Sequence, residues 1–218
     1  LPDRGKDKSP QRADEPYRRA LSGVYARTAK TLAALTGERP EHSPTVEGEA
    51  YADPAALKAD LETVHRSLLK HQGPSFKVGA LPDLVRSVDV FGFHLATLDM
   101  RQNSSVHGRV VAELLKVAGV AGDYEKLAEG ERCRLLLGEL EHGRLLSSPF
   151  AAYSEETKRE LQTLAAAAEI KRRHGPESIR NYIISNTTSI SDLLEVYLLL
   201  KEVGLFRPGE APETEIFS

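Results

Sequence analysis

Phe91-Gly-Phe-His-Leu-Ala-Thr-Leu-Asp-Met-Arg-Gln-Asn-Ser104 is the run whose reading decides the fold. Phe91, Phe93, Leu95, Thr97 and Asp99 alternate with Gly92, His94, Ala96, Leu98 and Met100, the period of a β-strand. The run closes on a polar cluster, Asp99, Arg101, Gln102, Asn103 and Ser104, and a helical pattern follows at once. In a βα unit the carboxyl end of the strand is where ligands are held, because side chains and the N–H groups of the next helix converge there. An arginine has a use at that spot, since its permanently charged planar fork suits phosphate or carboxylate. The competing reading gives Arg101 a structural task, pairing with Asp99 or capping a neighbouring helix.

Ile179 to Ser185 is a second strand candidate, with Tyr182, Ile183 and Ile184 at its centre. Asn186, Thr187, Thr188 and Ser189 form a polar turn, and Ser189 with Asp192 resembles a capping box opening a helix that Gly204 closes. Strand, polar turn, capped helix thus occurs twice. Two such units separated by a long helical stretch predict parallel strands, as in a βα barrel, in which Ser185 to Thr188 share one rim with Arg101.

The rest of the chain reads as helices. Residues 1–13 read as a mobile loop. Asp14 caps a helix with Glu15 and Pro16 in its first turn, an apolar series Tyr17, Ala20, Leu21, Val24, Tyr25, Thr28, Leu32 and Leu35, and a stop at Gly37. Arg18 and Arg19, near its start, read as a solvated face or as partners of Asp14 or Glu15. Asp53-Pro54 opens a second helix with Leu57, Leu61, Val64 and Leu68 inward, whose His65 and His71 complement its C-terminal half. A short helix carrying Leu81, Leu84, Val85 and Val88 completes a helical segment, 14–90.

The first βα unit spans 91–118, with Ser104 or Ser105 capping its helix. His107 in the first turn reads as solvent-facing, and His94 as a buried packing residue in mid-strand. A helical insertion, 119–178, holds Arg132 to Leu140 and a helix opened by Ser154-Glu-Glu-Thr157, with Leu161, Leu164, Ala165 and Ala168 as its stripe and Lys171-Arg-Arg173 at its end. Cys133 reads as a small core or half-buried residue. The second βα unit takes 179–204, and 205–218 reads as a loop.

Composition sets bounds. The 218 residues carry a net charge of −3, which argues against nucleic-acid or anionic-membrane binding through bulk charge. One cysteine precludes an internal disulfide and suits a reducing compartment. No apolar run reaches membrane-spanning length, so the cytoplasm is the expected location. No glycine-rich phosphate loop, zinc pattern or nucleophile elbow occurs.

Three stretches carry a family resemblance. Leu98-Asp-Met-Arg-Gln-Asn-Ser104 resembles the L-D-x-R-Q-x-S segment of phosphoenolpyruvate carboxylases. Asn181-Tyr-Ile-Ile-Ser-Asn-Thr-Thr-Ser-Ile-Ser-Asp-Leu-Leu-Glu-Val196 is similar to that family's Y-I-I-S-x-(x)₄-S-D-x-L-x-V segment, and Asp14-Glu-Pro-Tyr-Arg-Arg19 to its E-P-Y-R helix opening. They occur in family order and span nearly the whole chain. Asn186 departs from the pattern, standing where methionine or lysine is common.

The resemblance implies a bacterial-type enzyme, a carbon–carbon lyase that joins bicarbonate to phosphoenolpyruvate and gives oxaloacetate and phosphate. It implies a mostly α fold with two parallel β-strands, part of a large helical (β/α)8-barrel enzyme of the phosphoenolpyruvate/pyruvate superfamily type, with Mg or Mn as cofactor and assembly as an allosteric homotetramer. Bicarbonate attacks the phosphoryl group, and the carboxyphosphate and enolate that result then recombine. Arg101 is the substrate-binding residue this implies, and Arg18 an allosteric phosphate-binding one. The family's T-A-H-P-T, P-L-F-E-T, G-Y-S-D-S and G-R-G-G segments do not occur, so no catalytic residue and no metal ligand is expected in this chain. The chain reads as an internal fragment of about a quarter of the enzyme, inactive alone. The rival from another class is a helical interaction module without chemistry, in which the polar strand ends are scattered on the surface. A second enzymatic rival, another phosphate-handling barrel protein, needs a base or metal ligand that the chain does not offer.

Overall fold

The computed structural model describes residues 14–209 and 214–217. The loop expected at 1–13 lies outside the described residues. The chain divides into two compact units, residues 1–96 and 97–218.

The first unit is helical. Helix α1 spans Pro16–Thr36, α2 Pro54–Gln72 and α3 Ala80–Phe91. Proline at the first position starts α1, where a missing N–H costs nothing, and its cap is Glu15 rather than the expected Asp14. Gly37 ends it at φ 79°, a left-handed cap that glycine takes without penalty. Asp53 caps α2 as expected, its carboxylate accepting from the Ala56 N–H at 2.7 Å. The small core gathers Val24, Tyr51, Leu57, Leu61 and Val88. Beside it, Arg27 donates to Asp60 at 2.7 Å and lies over the Tyr51 ring at 3.8 Å, while the Tyr51 hydroxyl donates to the same carboxylate. Burial and this carboxylate push the Tyr51 hydroxyl well above its ordinary range.

The stripe expected on α1 is half corrected. Ala20 and Val24 are buried, but so are Gly23, Ala26, Ala29 and Thr31, while Leu21, Tyr25 and Leu32 stand exposed. Small residues let α1 approach its neighbours closely, so the larger apolar ones are turned outward.

The second unit is a sheet with helices. Strand β1 spans Leu98–Asn103, followed by α4 (Ser104–Val117), α5 (Glu129–Leu140), α6 (Glu155–His174), β2 (Ile179–Ser185), α7 (Ile190–Glu202) and β3 (Glu215–Phe217). The strands lie in the order β1-β2-β3, all parallel. The chain is thus mostly helical, with one open parallel sheet in its second unit. Two strands were expected; the third, β3, sits inside the expected loop 205–218 and pairs with Asn181 to Ile183.

β1 is also shorter than the alternation suggests. Phe91 is the last residue of α3, and Gly92 (φ 49°) and Leu95 (φ 62°) turn the chain before β1 begins. His94 therefore sits half-buried in that turn and not in mid-strand. A Cβ at Gly92 would come within 3.0 Å of the His94 ring, so the tight turn needs glycine for space as well as for φ.

The core of this unit lies between the sheet and its helices. Val110, Val111 and Leu114 of α4, Leu136 of α5, Leu164 of α6, Tyr182 and Ile184 of β2, and Val196, Leu198, Leu199 and Leu200 of α7 are all buried in it. On α6 the buried alanine is Ala167; Ala165, expected inward, is exposed. Charged groups enter this core only with partners. The Lys171 ammonium donates to the carbonyls of Pro176 (2.8 Å) and Ile179 (2.6 Å), so the basic end of α6 ties down the chain entering β2. Lys201 does the same for Glu139 (2.6 Å) and His142 (3.1 Å) at the end of α5. The Glu202 carboxylate accepts from the N–H groups of Leu146 and Ser147.

Candidate functional site

Parallel register puts the ends of β1 and β2 side by side: Asp99 lies opposite Asn181, Arg101 opposite Ile183 and Asn103 opposite Ser185. Alternation then assigns these residues to one face of the sheet, and Met100, Gln102, Tyr182 and Ile184 to the face under the helices. The first face carries the polar groups. Asn181 donates its amide to Asp99 at 2.8 Å, and one step further along the Arg101 Nε donates to the Ser185 hydroxyl at 3.0 Å.

Both structural tasks weighed for Arg101 are thereby answered. The Asp99 carboxylate is taken by Asn181, and among the described residues Arg101 makes no ion pair. It caps no helix either. The cap of α4 is Asn103, whose side-chain oxygen accepts from the N–H and hydroxyl of Ser105, in place of the expected serines. Ser104 is buried instead, and its hydroxyl donates to the Asn186 carbonyl at 2.8 Å. This bond pins the β2–α7 turn where Asn186 takes a left-handed φ of 60°, a conformation asparagine tolerates better than methionine or lysine. Asp192 then accepts from the N–H groups of Thr188 and Ser189 and starts α7, one half of the expected capping box; the Ser189 hydroxyl pairs with Ser191.

The rim is therefore a short row of Arg101, Asn103, Ser104, Ser185 and Asn186, tied across two strands and the starts of two helices. Its cation is exposed and held by one hydrogen bond to an uncharged hydroxyl, so its charge is uncompensated within the rim. A guanidinium in this state has the charge and the planar fork that phosphate or carboxylate pairs with.

Other candidates fall elsewhere. His107, expected to face solvent, is fully buried. Its Nε2 lies 2.8 Å from the Tyr182 hydroxyl, which donates its single proton to Glu160 at 3.2 Å; the imidazole Nε2–H must therefore be the donor to Tyr182. Gln102 completes the chain, donating to the other Glu160 oxygen at 3.0 Å. Burial lowers the His107 pKa to about 4 and raises the Tyr182 hydroxyl, so both are neutral at pH 7. A second buried acid, Glu195 on α7, accepts from the Tyr124 hydroxyl at 2.8 Å, and burial raises its pKa to about 7. Neither group belongs to the rim, and the sequence reading missed the Glu160 and Glu195 clusters. The signal for His107 was present: with Val110, Val111 and Leu114 it follows the helical spacing of the apolar face.

Cys133 is half-buried on α5, the second of the two expected placements, and burial followed by its contact with Glu129 raises its thiol pKa, away from reactivity. Arg18 lies in the first turn of α1, exposed, 3.6 Å from Glu15. No group of three or more His, Cys, Asp or Glu side chains suited to a metal ion occurs among the described residues. No helix among them is long and apolar enough to cross a membrane. In the first unit a groove of about 580 Å³ is lined by Lys30, Arg39 and Glu47 without Arg18, and in the second unit grooves of about 490 Å³, lined by Arg109, Glu113 and Lys116, and about 800 Å³, lined by Lys171, Arg172 and Glu202, do not include Arg101.

Comparison with known proteins bears on the whole length. The family model described as phosphoenolpyruvate carboxylase matches residues 1–216. A phosphoenolpyruvate carboxylase of Ralstonia nicotianae is 52% identical over 209 residues, 96% of this chain and 21% of that protein. One of an Azoarcus species is 50% identical over 210 residues, 96% of this chain and 23% of that protein. One of Burkholderia mallei is 46% identical over 207 residues, 92% of this chain and 21% of that protein. The chain spans about a fifth of the length of the curated relatives it matches. With a match that runs almost from end to end, the chain belongs to the phosphoenolpyruvate carboxylase family.

Proposed function

We propose that this chain is part of an enzyme that carboxylates phosphoenolpyruvate with bicarbonate, and that Arg101 binds the phosphoryl group. The observation that carries the reading is the exposed Arg101 guanidinium at the carboxyl end of β1, free of any carboxylate partner among the described residues. Ligands of βα proteins bind at that end of the strands. In this reading bicarbonate attacks the phosphoryl group, negative charge builds on its oxygens, and a guanidinium already in place stabilises that charge without reorganising. The three strands belong to a closed (β/α)8 barrel, in which the polar face of the sheet, Asp99, Arg101, Asn181 and Ser185, lines the interior.

Family membership implies a divalent metal, which we take to be Mg or Mn. The described residues do not fit it, since they hold no cluster of ligands, so its ligands belong to other parts of the complete protein and no step is assigned to it here. The remaining catalytic groups come from the same source. Arg18, exposed and paired with Glu15 at 3.6 Å on the solvent-facing surface, is proposed as an allosteric phosphate contact, because such pairs contribute little and leave the guanidinium available. Homotetrameric assembly and a cytoplasmic location complete the reading.

The test is oxaloacetate formation. The complete parent protein is expected to form oxaloacetate and phosphate only when both phosphoenolpyruvate and bicarbonate are present, and the isolated 218-residue chain to form neither. Turnover by the isolated chain would show that it holds catalytic groups this reading denies it; no bicarbonate dependence in the parent would remove the reaction.

A further inference from the structure

The bond between Arg101 and Ser185 has a direction that matters for how a ligand is held. A guanidinium offers two edges for a bidentate acceptor, one formed by Nε and a terminal nitrogen, the other by the two terminal nitrogens. Ser185 accepts from Nε at 3.0 Å, so the first edge is occupied and the terminal edge is the one left for an anion. Ser185 can impose this because its own place is determined. It is the last paired residue of β2, opposite Asn103, and the next carbonyl, that of Asn186, is held by the buried Ser104 hydroxyl. The arginine itself has no other partner among the described residues and is exposed, so without that bond its side chain would sample several rotamers.

We propose that Ser185 is a positioning residue: it locks the Arg101 guanidinium so that its two terminal nitrogens face the phosphoryl group of the substrate. This rests on the reading of Arg101 as the phosphoryl-binding arginine. The serine does not touch the substrate; its contribution is the preorganisation of a charged group that otherwise must be ordered when the substrate binds.

The experiment is steady-state kinetics of the complete parent protein, varying phosphoenolpyruvate and bicarbonate in turn, for Ser185→Ala, Ser185→Thr, Arg101→Ala and the Ser185→Ala/Arg101→Ala pair. A hydrogen bond to a charged group corresponds to about a tenfold effect. Ser185→Ala is expected to raise KM for phosphoenolpyruvate by that factor, with KM for bicarbonate and Tm unchanged. Ser185→Thr, which keeps the hydroxyl, restores KM. The pair is expected to equal Arg101→Ala alone, because a positioning residue has nothing to position once the arginine is gone.

Each contrary result points to a different failure. If Arg101→Ala impairs turnover while Ser185→Ala leaves KM unchanged, the arginine reading stands and the positioning role is overturned. The role is likewise overturned if the serine effect persists in full without the arginine, or if Ser185→Ala shifts Tm but not KM. If Arg101→Ala itself is without effect, the phosphoryl reading falls and the inference with it.

Discussion

The two faces of the sheet are built from alternate residues of the same strands and solve opposite problems. Under the helices, Met100, Gln102, Tyr182 and Ile184 meet a packed apolar layer, and the polar atoms admitted there are linked into a chain, Gln102 to Glu160 to Tyr182 to His107. On the other face, Asn181 bonds to Asp99 and Arg101 to Ser185, and the cation among them has no counter-ion among the described residues. The covered face supplies stability. The open face, which we propose serves recognition, keeps an exposed charge where burial would have required neutralising it. A residue's face should therefore decide whether its loss is read in folding or in turnover.

The largest effect on folding should come from the core behind the covered face. Leu198→Ala removes a fully buried side chain and is expected to cost about 3 kcal/mol in urea unfolding of this chain, while Asn181→Ala on the open face costs under about 0.5 kcal/mol. Equal costs would erase the contrast between the faces. A smaller loss is expected for Tyr182→Phe, which keeps the ring but leaves the His107 Nε2–H and one Glu160 oxygen without their partner. About 1–3 kcal/mol of destabilisation should follow. A neutral Tyr182→Phe would show that the buried chain is not a coupled unit.

The smallest effect is a pH dependence, and it separates two buried groups of opposite sense. His107 has a pKa lowered from 6.5 to about 4, mainly by burial, with Asp192 acting in the opposite direction. Its neutral form is favoured in the fold, so its contribution is intact above pH 6.5 and is lost as pH falls towards 4. Glu195 has a pKa raised from 4.5 to about 7, mainly by burial, against the Tyr124 bond and the Arg132 charge and with the Asp192 and Glu129 charges. Its protonated form is favoured, so its contribution is complete below pH 4.5 and is lost as pH rises through 7. Between pH 7 and 4.5 the two oppose each other. On acidification across that window the urea midpoint of Glu195→Gln should fall more than that of the unsubstituted chain, and the midpoint of His107→Gln less. Parallel profiles for all three would contradict the assignment.

What the sequence made legible follows from how local each signal is. β2 was read with its exact bounds, because Ile179 to Ser185 concentrates β-favouring residues between a Gly-Pro break and a polar turn. β1 was placed but overextended. Phe91, Phe93 and Leu95 mimic a strand period, although the first ends a helix and the others sit in a turn opened by Gly92. Three-residue β3 has almost no local signal; its strand character is conferred by pairing with β2. The same limit hid the Glu160 and Glu195 clusters, whose partners lie 22 to 71 residues away in the chain. At the candidate site, Arg101 was singled out from its position at a strand end together with the motif resemblance, and Ser185 was placed on the same rim. That the serine holds Nε needed the register of the two strands.

The central claim is that Arg101 on the open face binds the phosphoryl group, and the most direct measurement is kcat/KM for phosphoenolpyruvate in the complete parent protein carrying Arg101→Ala or Arg101→Lys. The account predicts a folded protein with at least a hundredfold loss, about 2.7 kcal/mol of transition-state stabilisation, in the alanine variant. It predicts a loss in the lysine variant too, since an ammonium cannot reproduce the two-pronged edge that Ser185 leaves exposed. Near-normal kcat/KM in both variants would contradict it and leave Arg101 as a structural residue of the rim.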